Sequence, residues 1–113
     1  MGTKRKDVGI EKGEFLVEVQ NWAKKIRARN FRVRMQPMKR KWASCSKRRN
    51  VTFNTDLLHE SQTFRDYVIV HELLHLKVPN HGKLFKSLIR AYIPDYEVII
   101  PAHRQTADNE RTL

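Results

Sequence analysis

The chain has 113 residues, a hydrophobic fraction of 40% and a formal net charge of +11. That length supports one domain with a modest core and leaves no room for a separate cofactor-binding domain. No apolar run approaches the roughly 18–20 residues that span a bilayer, and the basic start leads into no apolar segment, so neither a membrane span nor a secretory signal is expected.

The first predicted element is an amphipathic helix over about residues 11–29. Phe15, Leu16, Val19, Trp22, Ala23 and Ile26 fall at helical spacing, and Asn30 is expected to end it. Phe31 to Met35 alternates apolar and basic residues, as a half-buried strand does, and Pro37 breaks it. Lys39–Cys45 and Asn50–Asn54 suit a hairpin around the polar turn Ser46 to Arg49. These strands predict a small, mostly antiparallel three-stranded sheet. Thr63, with Asp66 three residues later, resembles a helix N-cap signal. The helix that follows, Phe64–Leu76, is apolar around most of its surface and belongs in the core. Pro79 stops it, and Asn80 is the expected cap of a further helix with the stripe Leu84, Phe85, Leu88, Ile89 and Tyr92. Pro94 ends that helix, Val98 to Ile100 are expected to pack on the domain, and a polar tail follows Pro101. The organisation expected is one domain over 1–113, with its core at about 11–101 and flexible tails at 1–10 and 102–113.

The positive charge is unevenly spread. No Asp or Glu occurs between Glu18 and Asp56, a stretch that carries Lys24, Lys25, Arg27, Arg29, Arg32, Arg34, Lys39, Arg40, Lys41, Lys47, Arg48 and Arg49. Such a field attracts polyanions. Arg32, Arg34, Lys39, Arg40, Lys41, Lys47, Arg48 and Arg49 are therefore candidates to contact nucleic acid or an acidic substrate, although charge alone reads no sequence. The single cysteine, Cys45, excludes an internal disulfide and fits a reducing, cytoplasmic setting.

Chemistry concentrates in His71-Glu72-Leu73-Leu74-His75, an H-E-x-x-H motif on the core helix. Spacing i, i+4 sets both imidazoles on one helix face, one turn apart, where they can grip one ion. Zinc suits nitrogen ligands in tetrahedral geometry, and Glu72 can reach a metal-bound water without ligating the metal. Two histidines and a glutamate on so apolar a helix need partners, because unpaired polar groups are costly to bury. A catalytic zinc takes a third protein ligand, and His59, His81, His103 and Glu97 are the candidates. His81 is preferred because its six-residue distance from His75 makes loop closure easy. The spacing superficially matches the metzincins, but Val78 stands where those enzymes have Gly and no methionine follows His81.

Further motifs accompany this one in order: Lys41-Trp42-Ala43-Ser44-Cys45-Ser46, Val51-Thr52-Phe53-Asn54, Asp66 to Leu76, Asn80-His81-Gly82-Lys83-Leu84-Phe85, and Pro94-Asp95-Tyr96. Over about residues 30–100 the chain resembles the YgjP-like metallopeptidase domain, one of the compact zincins called minigluzincins, related to WLM and SprT-like proteases. The resemblance implies a compact α+β zincin-like domain: an N-terminal helix, the small sheet, an active-site helix bearing HExxH and a further C-terminal helix. It also implies one zinc per chain on His71, His75 and His81, with Glu72 catalytic and a protein or peptide as substrate. Lys41 and Ala43 replace the family's usual Arg and Gly, and Lys86 replaces a common Trp. Tyr92, Tyr96, Arg90 and His103 are candidates for a second donor that steadies charge in the transition state. The alternative is a basic, nucleic-acid-associated zinc-binding protein, or an SprT-like protease recruited to DNA.

Overall fold

A computed structural model describes residues 9–99. Its elements run α1 (Lys12–Ile26), β1 (Arg32–Gln36), β2 (Ala43–Cys45), β3 (Asn50–Asn54), a 3-10 helix (Thr55–His59), α2 (Gln62–His75) and α3 (Lys83–Tyr92), with a last helical turn over residues 96–99. This is the expected α+β arrangement. The expectations for residues 1–8 and 100–113, including Ile100, His103 and most of both tails, lie outside the described residues. Among the described residues no helix is long and apolar enough to cross a membrane.

Helix α1 buries Phe15, Val19, Ala23 and Ile26, the stripe predicted from spacing. It stops at Ile26, before the expected Asn30. Arg27 turns left-handed (φ 66°), and the Ala28 N–H donates back to the Ala23 carbonyl at 2.9 Å. This end is usually made with Gly, so an Arg there gives the sequence no stop signal. The buried Ala28 adds apolar contact beneath the last helical residues.

The sheet has the order β1-β3-β2. Strands β2 and β3 form the expected hairpin, antiparallel, with Ser44 opposite Thr52. Ser46 shapes its turn, its Oγ accepting from the Arg48 and Asn50 N–H groups at 3.2 Å each. β1 joins on the other side of β3 in parallel, Arg32 beside Asn50 and Gln36 beside Asn54. The sheet is therefore mixed. Alternation along β1 shows which side chains face the core, but it carries no information on strand direction. Arg32, Arg34 and Gln36 point to solvent, while Val51, Phe53 and Ala43 are fully buried against the helices.

α2 runs through the core, with Val68, Ile69, Val70 and Leu73 at 0% exposure. Its cap is Ser61, whose Oγ accepts from the Phe64 N–H at 3.2 Å, so Thr63 lies inside the first turn instead. Gly82, not Asn80, occupies the N-cap of α3. Two polar links tie α2 to α1. The Trp22 indole N–H donates to Asp66 at 3.0 Å, and burial raises the Asp66 pKa. Arg65, 1% exposed, grips both Glu18 oxygens at 2.9 Å and donates to the Glu60 carbonyl at 2.7 Å. Glu18→Ala would strand a buried guanidinium, so it is expected to lower stability by about 3 kcal/mol. A urea midpoint unchanged from wild type would show that the pair contributes nothing.

Candidate metal centre

Helix α2 carries three of the candidate site residues. His71 is 6% exposed and Glu72 1% exposed, while His75 sits half-buried one turn further along. After α2 the chain stays tightly folded, the Val78 N–H donating to the Leu74 carbonyl at 2.7 Å. It then delivers His81 from the loop ahead of α3. The three ring centroids lie 4.8 Å (His71–His75), 5.0 Å (His71–His81) and 4.6 Å (His75–His81) apart. Phe85, on the buried side of α3, packs against all three rings at 5.1, 4.9 and 4.9 Å. Its apolar ring lets the imidazoles approach one another without competing for their nitrogens.

The donor set fits a cation. One nitrogen from each ring lies within 4.8 Å of the others, and His75 Nε2 meets His81 Nε2 at 2.9 Å. Nitrogens bound tetrahedrally at about 2.0–2.1 Å are separated by about 3.3–3.4 Å. The separations here, from 2.9 Å up to at most 4.8 Å, bracket that value. His71 Nδ1 and Glu72 Oε2, 3.5 Å apart, are both buried without a hydrogen-bond partner. Such atoms ordinarily find one, and an ion with its water is the kind of partner this spot can take. Burial, then the neighbouring His71, lowers the pKa of both His75 and His81. That favours the neutral imidazole, the form that ligates metal.

Glu72 and His75 also line a groove of about 320 Å³, walled by Lys41, Ala43, Ser44 and Lys47. Strand β2 forms that wall at the edge of the sheet. Asn54, fully buried, holds the preceding loop in place, its Nδ2 donating to the Met38 and Lys41 carbonyls at 2.8 Å each. Cys45 also lines the groove, but burial pushes its thiol pKa up, which makes it a poor nucleophile.

The other candidates lie apart from the three imidazoles. His59 is exposed on the 3-10 helix. Glu97, also exposed, pairs with Arg90 at 3.2 Å rather than with the histidines. Tyr92 packs edge-on against Trp22, 6.3 Å between centroids. Tyr96 stacks on Tyr67 at 6.4 Å, Arg90 lies over the Tyr96 ring at 5.7 Å, and Tyr67 lies 5.6 Å from His71. Tyr96 is thus one aromatic ring removed from the histidines. Of the basic candidates, Lys41 and Lys47 reach the groove, and Arg32, Arg48 and Arg49 line a different cavity. Arg34, Lys39 and Arg40 are exposed and line neither. Sequence reasoning overlooked Tyr67 as a neighbour of the site, although its place four residues before His71 puts both on one helix face.

A helix-borne histidine pair, a third histidine from the next loop, an adjacent buried carboxylate and an open groove define a metal-dependent hydrolase. The sequence over residues 10–100 matches the YgjP-like, metallopeptidase domain model, and the chain belongs to that family. A search of curated protein sequences finds no match. Two crystal structures share the fold. One is the metallopeptidase zymogen of Methanocaldococcus jannaschii jannalysin, 24% identical, with a TM-score of 0.71 over 82% of this chain and 97% of that one. The other is the metallopeptidase zymogen of Pyrococcus abyssi abylysin, 21% identical, with a TM-score of 0.73 over 88% and 98%.

Proposed function

We propose that the protein is a zinc peptidase with one ion per chain, held by His71, His75 and His81, and with Glu72 as its general base. The convergence of three imidazoles beside a buried, unpartnered carboxylate carries this reading. All-nitrogen ligation favours zinc over calcium or magnesium, which take oxygen ligands. The chain's one cysteine cannot supply the thiolates typical of closed structural zinc sites.

When bound, the ion supplies a Lewis acid and lowers the pKa of its water toward about 7. The protein's own groups do the rest. The β2 edge offers backbone groups to an extended peptide, which can add as a strand and lay its scissile bond beside Glu72. The Glu72 carboxylate takes a proton from the attacking water and passes it to the leaving nitrogen. Lys41 and Lys47 bring positive charge to the groove wall and favour acidic side chains on the bound peptide. A cytoplasmic location suits the lone thiol.

Metal removal tests the assignment. Chelation is expected to abolish cleavage of a mixed peptide library, and zinc at one equivalent per chain to restore it. Cleavage that survives complete demetallation would refute the metal's role.

A further inference from the structure

β1 and the β2–β3 turn enclose a second cavity, which shares no lining residue with the groove. Its volume is about 580 Å³, and Asn30, Phe31, Arg32, Arg48, Arg49 and Asn50 line it. The Arg49 guanidinium is clamped at its wall. Nε donates to the Asn30 carbonyl at 2.8 Å, Nη2 to the Arg29 carbonyl at 2.6 Å and Nη1 to the Leu76 carbonyl at 3.2 Å. Carbonyls orient the group without cancelling its net charge. Arg32 and Arg48 are exposed beside it, and Arg34 follows Arg32 on the same outward face of β1.

No Asp or Glu stands in the cavity lining. The carboxylates of Glu18 and Glu97 are engaged elsewhere, with Arg65 and Arg90, and Glu72 lines the other groove. Arginines gathered around a wall that holds no carboxylate repel one another, and an anion relieves that repulsion. Guanidinium groups match phosphate in geometry and bind it bidentately. The rest of the wall narrows the choice. Phe31 is half-buried and offers an aromatic surface, and two asparagine side chains provide both donors and acceptors. An acidic peptide uses the arginines alone, whereas a nucleotide uses phosphate, ring and amide contacts together.

We propose that this cavity binds a single-stranded nucleic-acid segment, with Arg32 and Arg48 on backbone phosphates and an unstacked base against Phe31. Aromatic stacking of this kind tolerates any base, so binding is not sequence-specific. The site is separate from the groove, so it adds an attachment point for the enzyme rather than a second reaction.

Fluorescence anisotropy with a labelled 20-nucleotide single strand and the matching duplex tests it on the full chain. The paired variant Arg32→Glu/Arg48→Glu is compared with Lys12→Glu/Lys83→Glu, which changes net charge equally at two exposed helix-start positions. Wild type is expected to prefer the single strand. The arginine pair is expected to weaken binding by about tenfold or more, and the lysine pair by about twofold or less. The slope of log affinity against log salt should become shallower by about 1.4 in the arginine variant, at about 0.7 for each phosphate no longer neutralised. Absent binding, equal weakening in both variants, equal affinity for the duplex, or competition by polyglutamate as strong as that by the oligonucleotide would each overturn the proposal. All substituted side chains are exposed, so matching thermal unfolding curves for the three proteins separate impaired binding from impaired folding.

Discussion

Glu72→Gln is expected to keep one metal ion per chain and to lose about 10²- to 10⁴-fold in kcat, the range that a positioned proton acceptor contributes. Glutamine matches glutamate in volume, so the tightly packed position, 1% exposed, is not disturbed. The amide still accepts a hydrogen bond from water but cannot take up its proton. Because Glu72 Oε2 has no hydrogen-bond partner within the protein, the metal-free variant should unfold no earlier than metal-free wild type. Metal analysis, thermal unfolding and peptide cleavage on one preparation separate these effects. Wild-type turnover in the variant would remove Glu72 from the mechanism.

The second large effect is on the metal itself. His81→Ala is expected to weaken zinc binding by more than about 100-fold, beyond the 10- to 100-fold loss typical when only an outer-shell partner is removed. His81 is exposed and lies in the loop ahead of α3, so its side chain contributes little to the core. The variant should therefore fold with α2 and α3 intact and present only His71 and His75. Competition against a chromogenic zinc chelator gives the affinity, and the unfolding curve of the metal-free protein confirms the fold. Unchanged affinity would place the third ligand elsewhere and leave His81 as a bystander.

The two experiments also distinguish the site's components. Loss of activity with metal retained indicts the proton acceptor, while loss of both together indicts the ligand set. Neither bears on the arginine cavity, which lies across the β2–β3 turn from the groove. That turn faces two ways, with Lys47 on the groove and Arg48 and Arg49 on the second cavity.

Much of this was legible in the residues because it is local. Helical periodicity exposed the buried faces of α1 and α2, and i, i+4 spacing put His71 and His75 on one side of a helix. The short distance from His75 limited where His81 could go, and the missing acidic residues marked the basic surface. Element ends were harder, because the stop after Ile26 rests on a left-handed Arg27 and the start of α2 on Ser61 rather than Thr63. Tertiary structure alone decided the rest: the parallel pairing of β1 with β3, the Phe85 ring packed against all three imidazoles, and the division of one basic stretch between two cavities. Each of these depends on meetings between residues that belong to different elements. Spacing along a sequence determines which side of an element a residue faces, but only packing determines what it meets there.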